Sequence, residues 1–305
     1  MFNLKYYGTL LLILLGYISQ VAAFEVVIAA TPYQQEKYQA FLNGRDCQEI
    51  DSYIGENAFR ITLEIAILCK ALHYGGLPAK IKFKSAPNYS RGLLEVKKGN
   101  VVMSAATTWA DEIDETILYK SEPLFASREF VKGFFTTPAL KQEIEIKIAH
   151  AANMQKTPLS VLQAYPFLSN NLWKQDWAML KALNLPAATT MSINKSICKI
   201  IEAERASLYL GELVMIGQSQ LGFPCDNIQL VPIDGFKVAF HQSRHYAVSK
   251  RHPNGKLVYT ALQIGIQEMR KSGEIASAQY PEKSKKLTLE SWVDLSPNPK
   301  RKKNQ

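Results

Sequence analysis

Apolar residues along this chain come in short blocks whose spacing switches between the two-residue period of a strand and the three-to-four-residue period of a helix. Residues 24–30, Phe-Glu-Val-Val-Ile-Ala-Ala, are an apolar, partly β-branched run ended by Thr31-Pro32-Tyr33, which predicts an opening strand. Ala58, Ile61, Ile65, Leu68 and Leu72 then recur at helical spacing, a stripe capped by Asn57 and stopped at Gly75-Gly76. Residues 79–84 alternate as a strand, Ser90 is placed to cap a helix carrying Leu93, Leu94 and Val96 that ends at Gly99, and residues 101–105 read as a buried strand. The order strand, helix, strand, helix, strand predicts an α/β fold with a mainly parallel sheet and covering helices.

The second half repeats the theme. Residues 162–168 read as a strand, and Ser169-Asn170-Asn171 offers caps for a helix carrying Trp173, Trp177 and Leu180. Ile193, Ile197, Ile200 and Ile201 mark another helix; residues 206–210, 228–233 and 245–249 read as strands. Leu257, Ala261 and Ile264 then mark a long helix running to about Ser272. Between residues 138 and 160 the pattern is least decided, although Glu143, Glu145 and Lys147 alternate with Ile144, Ile146 and Ile148 at a strand-like period of two. After Tyr280 the composition shifts to Lys, Ser, Pro and Asn, so residues 282–305 read as a basic, disordered tail.

With 305 residues, 47% of them apolar, the chain is long enough for a sizeable core, and its length favours two domains. Of the net charge of +9, the 24 residues of the tail carry +4 and the first 23 residues +1, which leaves the body only mildly basic and gives no reason to expect a nucleic-acid partner. At the start, Lys5 precedes Leu10-Leu11-Leu12-Ile13-Leu14-Leu15, and Val21-Ala22-Ala23 presents small residues where a signal peptidase reads. This predicts a leader over residues 1–23, cleaved after Ala23, and a periplasmic or secreted mature protein. The alternative, a membrane anchor, is weakened by Gly8, Gly16, Ser19 and Gln20 within a stretch that barely reaches the ~20 apolar residues of a span.

An exported compartment permits disulfides. Pairing Cys47 with Cys69 and Cys198 with Cys225 would staple each half separately, whereas the other two connectivities would tie the halves together. Four buried free thiols are the remaining possibility. A metal site is not expected, since no Cys-x-x-Cys occurs.

Four segments, taken in order, resemble the extracellular solute-binding proteins of family 3, the type II periplasmic binding proteins that feed amino-acid-type ABC transporters. The opening strand with its Thr31-Pro32-Tyr33 loop is similar to the family's first ligand loop. Tyr89-Ser90-Arg91-Gly92-Leu93-Leu94, followed by Lys98-Gly99-Asn100-Val101-Val102, resembles the helix and turn that lead to its fourth-strand loop. Ser121-Glu122-Pro123-Leu124 resembles its "Ser-Asp-Pro-Tyr" before the first hinge, and His245-Tyr246-Ala247-Val248-Ser249-Lys250 its returning hinge strand. The resemblance spans residues 24–280 and implies a two-lobed fold, each lobe a mainly parallel sheet flanked by helices. Lobe 1 would hold residues 24–132 and 250–281 and lobe 2 residues 133–249, with hinge crossings near 130–136 and 246–250. It also implies a monomeric, non-enzymatic protein without cofactor or metal, which captures a small polar, amino-acid-like solute and delivers it to an ABC permease. The alternative is a domain that has lost solute binding and serves sensing or protein contact.

The family's usual Arg, whose guanidinium clamps the ligand carboxylate, is missing after the fourth strand, where the chain reads Ser104-Ala105-Ala106-Thr107-Thr108-Trp109-Ala110-Asp111. Ordinary α-amino-acid binding is therefore in doubt. The positions implied for the cleft are Tyr33, Tyr89, Thr107, Thr108 and Trp109 from lobe 1 and Ser169 and Asn170 from lobe 2. Arg91, in the first turn of a helix, and Arg128 are the candidate replacement cations. Each has a plainer reading: the aromatics as core, the Ser-Asn pair as caps only, Arg91 as surface. Catalysis has little support, because His241 and His245 would lie about 13 Å apart along a strand and no nucleophile motif occurs.

Overall fold

The computed structural model describes residues 24–170, 173–189, 193–216, 220–225, 227–279 and 289–297. The expected leader, residues 1–23, lies outside them. The first half runs β1 (Phe24–Ala30), α1 (Pro32–Leu42), α2 (Arg60–Tyr74), β2 (Ala79–Ser85), α3 (Tyr89–Lys98), β3 (Met103–Ser104), β4 (Thr108–Trp109) and β5 (Leu118–Phe125). The middle runs β6 (Val131–Thr136), α4 (Pro138–Asn153), α5 (Pro158–Leu162), β7 (Phe167–Ser169), α6 (Lys174–Ala182), β8 (Ala187–Thr189) and α7 (Ile193–Glu202). Then follow β9 (Leu208–Glu212), β10 (Val214–Ile216), β11 (Gln220–Pro224), β12 (Gln229–Ala239), β13 (Arg244–Ser249), α8 (Gly255–Lys271), α9 (Glu274–Gln279) and β14 (Val293–Asp294).

These strands build two sheets, one per lobe. The first has the order β2-β1-β3-β13-β4, with β5 also paired to β13; the second has the order β10-β11-β12-β6-β9-β7-β8, with β14 on β12. Parallel pairing holds where a helix connects neighbours, β1 with β2 and β3, and β7 with β8 and β9. The strands next to the crossings enter antiparallel, β13 against β3, β4 and β5, and β6 against β12 and β9, so both sheets are mixed. In the first lobe α2 and α8 pack with their backbones nearly touching: a Cβ on Gly75 would strike the Ala261 carbonyl, and one on Gly265 the Ala71 carbonyl. That approach lets Ile65, Leu68 and Leu72 meet Val258, Leu262 and Ile266 in a fully buried layer.

Cys47 pairs with Cys69, fixing a short 3-10 turn against α2, and Cys198 pairs with Cys225, fixing α7 to the end of β11, with Cα separations of 6.2 and 5.8 Å. Both bonds stay within one lobe. Among the described residues no helix is long and apolar enough to cross a membrane.

Several elements differ from the sequence expectation. Residues 138–153 are a helix, because Thr137 accepts from the Leu140 N–H as N-cap, Pro138 starts the first turn, and Ile144, Ile148 and Ala151 bury one face at helical spacing. The alternation of Ile and charge was coincidental, and it leaves Ile146 exposed. Residues 158–162 are also helical, and the expected strand at 162–168 is confined to β7. The caps shift as well, with Phe59 rather than Asn57 preceding α2 and Asn88 rather than Ser90 capping α3.

The lobe boundaries move. Strand β13, placed in lobe 2 by sequence, is hydrogen-bonded into the first sheet, so the returning crossing lies between Ala239 and Arg244 rather than at 249–250. The outgoing crossing ends at Val131, the first residue of β6 in the second sheet. The C-terminal segment is ordered over residues 289–297: Leu289 and Trp292 are buried in the second core, and β14 lies parallel to β12. Two large apolar side chains in a lysine-rich stretch are enough to anchor it. Arg128, a candidate ligand cation, instead pairs with Asp294 of this segment.

Candidate functional site

The two crossings set the site. Phe130 precedes β6, Phe240 follows β12, and Trp109 of lobe 1 packs on both, its ring centroid 5.3 Å from each. Charged residues surround this aromatic layer. From lobe 1, Arg60 opens α2 and Glu64 follows one turn later, so their 2.7 Å ion pair is set by helical spacing. Glu64 is almost completely buried, and it also accepts from the backbone N–H of Thr107 at 2.9 Å and the Thr107 hydroxyl at 2.8 Å.

Arg244, the first residue of β13, pairs in register with Trp109, which brings its guanidinium to 4.5 Å from the Trp109 ring and 5.0 Å from Phe130. Its Nε donates to Thr107 Oγ1 at 2.9 Å and its Nη2 to the Thr107 carbonyl at 2.7 Å. Thr107 thus links Arg244 to Glu64. Burial pulls the Arg244 guanidinium below the usual arginine range, and the charge of Arg60 adds to the effect.

From lobe 2, Lys132 of β6 ion-pairs with Asp176 in the first turn of α6 at 2.6 Å, both side chains buried. The Lys132 ammonium is 6.0 Å from the Phe130 centroid, 5.5 Å from Trp173 and 5.9 Å from Phe240, a cage of three rings and one carboxylate. Glu212, at the end of β9, faces Lys132 in the β6–β9 register and receives Arg60 Nε at 2.8 Å, which ties the lobes together. Burial pushes the Glu212 carboxyl up, but Arg60 beside it overrides this and holds it down at about 2. A second tie runs from Gln175 Nε2 to Asp111 at 2.6 Å.

Of the residues expected from sequence, Thr107, Thr108, Ser169 and Asn170 are buried and Trp109 is half-buried in the aromatic layer. Ser169 Oγ is buried without a hydrogen-bond partner, whereas the buried Thr108 hydroxyl interacts with the Tyr89 phenol. Tyr89 donates its hydroxyl to Glu112 at 2.7 Å, and burial followed by the Glu112 charge raises its pKa. Tyr33 is 54% exposed beneath Lys37, and Arg91 is exposed on α3; neither enters the charged cluster. Sequence reasoning missed Arg60, Glu64, Lys132, Asp176, Glu212 and Arg244. The Arg60–Glu64 spacing was the one local signal available.

No protein-family model and no curated protein sequence matches the chain. Solved structures do. A probable amino-acid ABC transporter extracellular-binding protein, ytmK, from Bacillus subtilis is similar with a TM-score of 0.51 at 10% identity, over 84% of this chain and 96% of that one. The BvgS VFT2 domain from Bordetella pertussis is similar with a TM-score of 0.52 at 9% identity, over 85% of this chain and 92% of that one. At such identities the likeness is one of fold. The chain has the two-lobed α/β architecture of the type II periplasmic binding proteins, the architecture implied by its sequence resemblance.

Proposed function

We propose that this chain is an exported solute-binding protein that holds a small polar solute between its lobes and presents it to an ABC permease. The observation that carries the reading is the meeting of charged groups from both lobes, most of them buried, around one aromatic layer. Taking an ion out of water costs several kcal/mol even after relaxation, and well-packed apolar side chains of similar volume are often at least as stable in such places. Such a concentration at a lobe boundary is therefore a functional-site candidate on physical grounds. Tyr89, Thr107, Thr108, Trp109, Ser169 and Asn170 would supply the wall, and a solute touching both lobes would shift a hinge equilibrium toward closure. The extracellular-binding protein from B. subtilis that shares the fold, and the leader-like residues 1–23, support export.

The test is thermal unfolding of the purified protein against a broad panel of amino acids, organic acids, polyamines and sugars, followed by titration calorimetry of each hit. A saturable shift is expected for one chemical class. A second reading is favoured by the Arg60–Glu212 and Gln175–Asp111 ties, which join the lobes with the chain's own groups. In that reading the domain serves as a sensing or docking module without a solute. An unshifted melting curve across the whole panel would select it.

A further inference from the structure

Six charged side chains meet at the crossings, and they are not equivalent. Arg60 holds two carboxylates, Glu64 and Glu212, and Lys132 holds Asp176. Arg244 has no carboxylate within ion-pairing distance among the described residues, although only 6% of its surface is exposed. It is held by the neutral groups of Thr107 and by the faces of Trp109 and Phe130. The six charges sum to zero, so the cluster as a whole prefers neither sign. What discriminates is which local site is already filled.

The cation site is filled by the chain. Three ring faces and a carboxylate are the groups that recognise an alkylammonium, and here they surround the ammonium of Lys132. A ligand ammonium placed there would have to displace Lys132 and leave one of two buried cations without its carboxylate. The anion site is not filled in this way. The Arg244 guanidinium is oriented by two hydrogen bonds to Thr107, and Thr108, the other residue of β4, pairs with His245 beside it.

From this asymmetry we infer that the solute is a small carboxylate without an ammonium group, such as a 2-oxo or 2-hydroxy acid, bound at Arg244, while Lys132 permanently occupies the place of a ligand amine. The inference rests on the solute-binding reading above and narrows it. It also moves the carboxylate contact from Arg91, on the surface, to a residue of the returning strand.

The experiment is calorimetric titration of the purified protein with acid pairs that differ at one position: pyruvate with alanine, 2-oxoglutarate with glutamate, phenylpyruvate with phenylalanine. At least one oxo acid is expected to bind about tenfold or more tighter than its amino partner. Arg244→Gln should then weaken that acid by about 30-fold or more, as for loss of one partner in a buried charge contact, with Arg244→Lys intermediate. Because Arg244 also braces Thr107, the comparison of acid pairs in the unaltered protein stands even where the variant is unstable. In Lys132→Ala the emptied cage should accept n-propylammonium, seen as a rise in melting temperature that the unaltered protein does not show. An amino acid or polyamine as the tightest ligand overturns the inference and leaves the solute-binding reading intact. No binding by any of these six acids, with a hit of other chemistry in the broad panel, does the same. A flat response in both panels overturns the two together.

Discussion

Thr107 shows how much of this site depends on single atoms. Its hydroxyl donates to Glu64 and accepts from Arg244, and its carbonyl takes a second Arg244 hydrogen bond, so one residue connects two charged groups that never touch. Thr107→Val keeps the shape and removes the hydroxyl, leaving a buried Nε–H without an acceptor and Glu64 short of one donor. A loss of about 1–3 kcal/mol in unfolding free energy is expected, measurable from urea midpoints. A cost below about 0.5 kcal/mol would mean that water replaces the hydroxyl freely. Glu212 supplies a pH signature. Its folded pKa of about 2 lies below the ordinary value of 4.5, so the stability it contributes is fully present above about pH 5 and is lost as the pH falls toward 2. Glu212→Gln should therefore narrow its stability difference from the unaltered protein across that acid limb. A constant difference from pH 6 to pH 3 would show that Arg60 does not hold the carboxyl down.

At the scale of elements, the C-terminal segment changes the picture most. Beyond the β14 pairing, Leu295 N–H donates to the Lys237 carbonyl at 2.9 Å, Asp294 accepts from the Ala239 N–H at 3.2 Å and pairs with Arg128, and His241 Nε2 donates to the Pro297 carbonyl at 3.0 Å. Arg128 precedes the outgoing crossing and His241 lies within the returning one, so the segment holds both crossing strands from outside. Trp292 and Leu289 anchor it in the second core. Trp292→Ala is expected to cost about 3–5 kcal/mol, as for other buried large-to-small changes, read by urea unfolding. A cost near zero would show that the segment contributes little to the second core. The same scale explains α4: a period of two in charge and a period near four in burial coexist over residues 143–151, and burial against the second lobe decides between them.

For the whole molecule, the question is what keeps the lobes in contact. Arg60–Glu212 and Gln175–Asp111 span the boundary, and Trp109 rests on the crossing aromatics. Arg60→Ala combined with Glu212→Ala removes the charged tie between the lobes and leaves the buried Glu64 with its Thr107 donors alone. The double variant should show a larger radius of gyration by small-angle scattering in the absence of solute. Unchanged scattering would assign closure to the aromatic contacts and the C-terminal segment.

The sequence by itself determined the α/β alternation, the opening strand and the long helix before Ser272, because each is written in contiguous residues whose period has one economical solution, whereas it favoured the local disulfide pairing and left the other connectivities for the structure to decide. The family resemblance also pointed to Thr107, Thr108, Trp109, Ser169 and Asn170, which the fold buries or half-buries. The charged partners of those residues were decided by tertiary structure alone. Arg244 lies 137 residues from Thr107, and Lys132 lies 44 from Asp176. On its own strand each looks like an ordinary solvated cation. Only the antiparallel entry of β13 beside β4, and of β6 beside β9, buries them and sets what each meets, Thr107 for Arg244 and Asp176 for Lys132. The chain of Arg244, Thr107, Glu64, Arg60 and Glu212 therefore exists only in the folded molecule, because desolvation and pairing are properties of where strands meet.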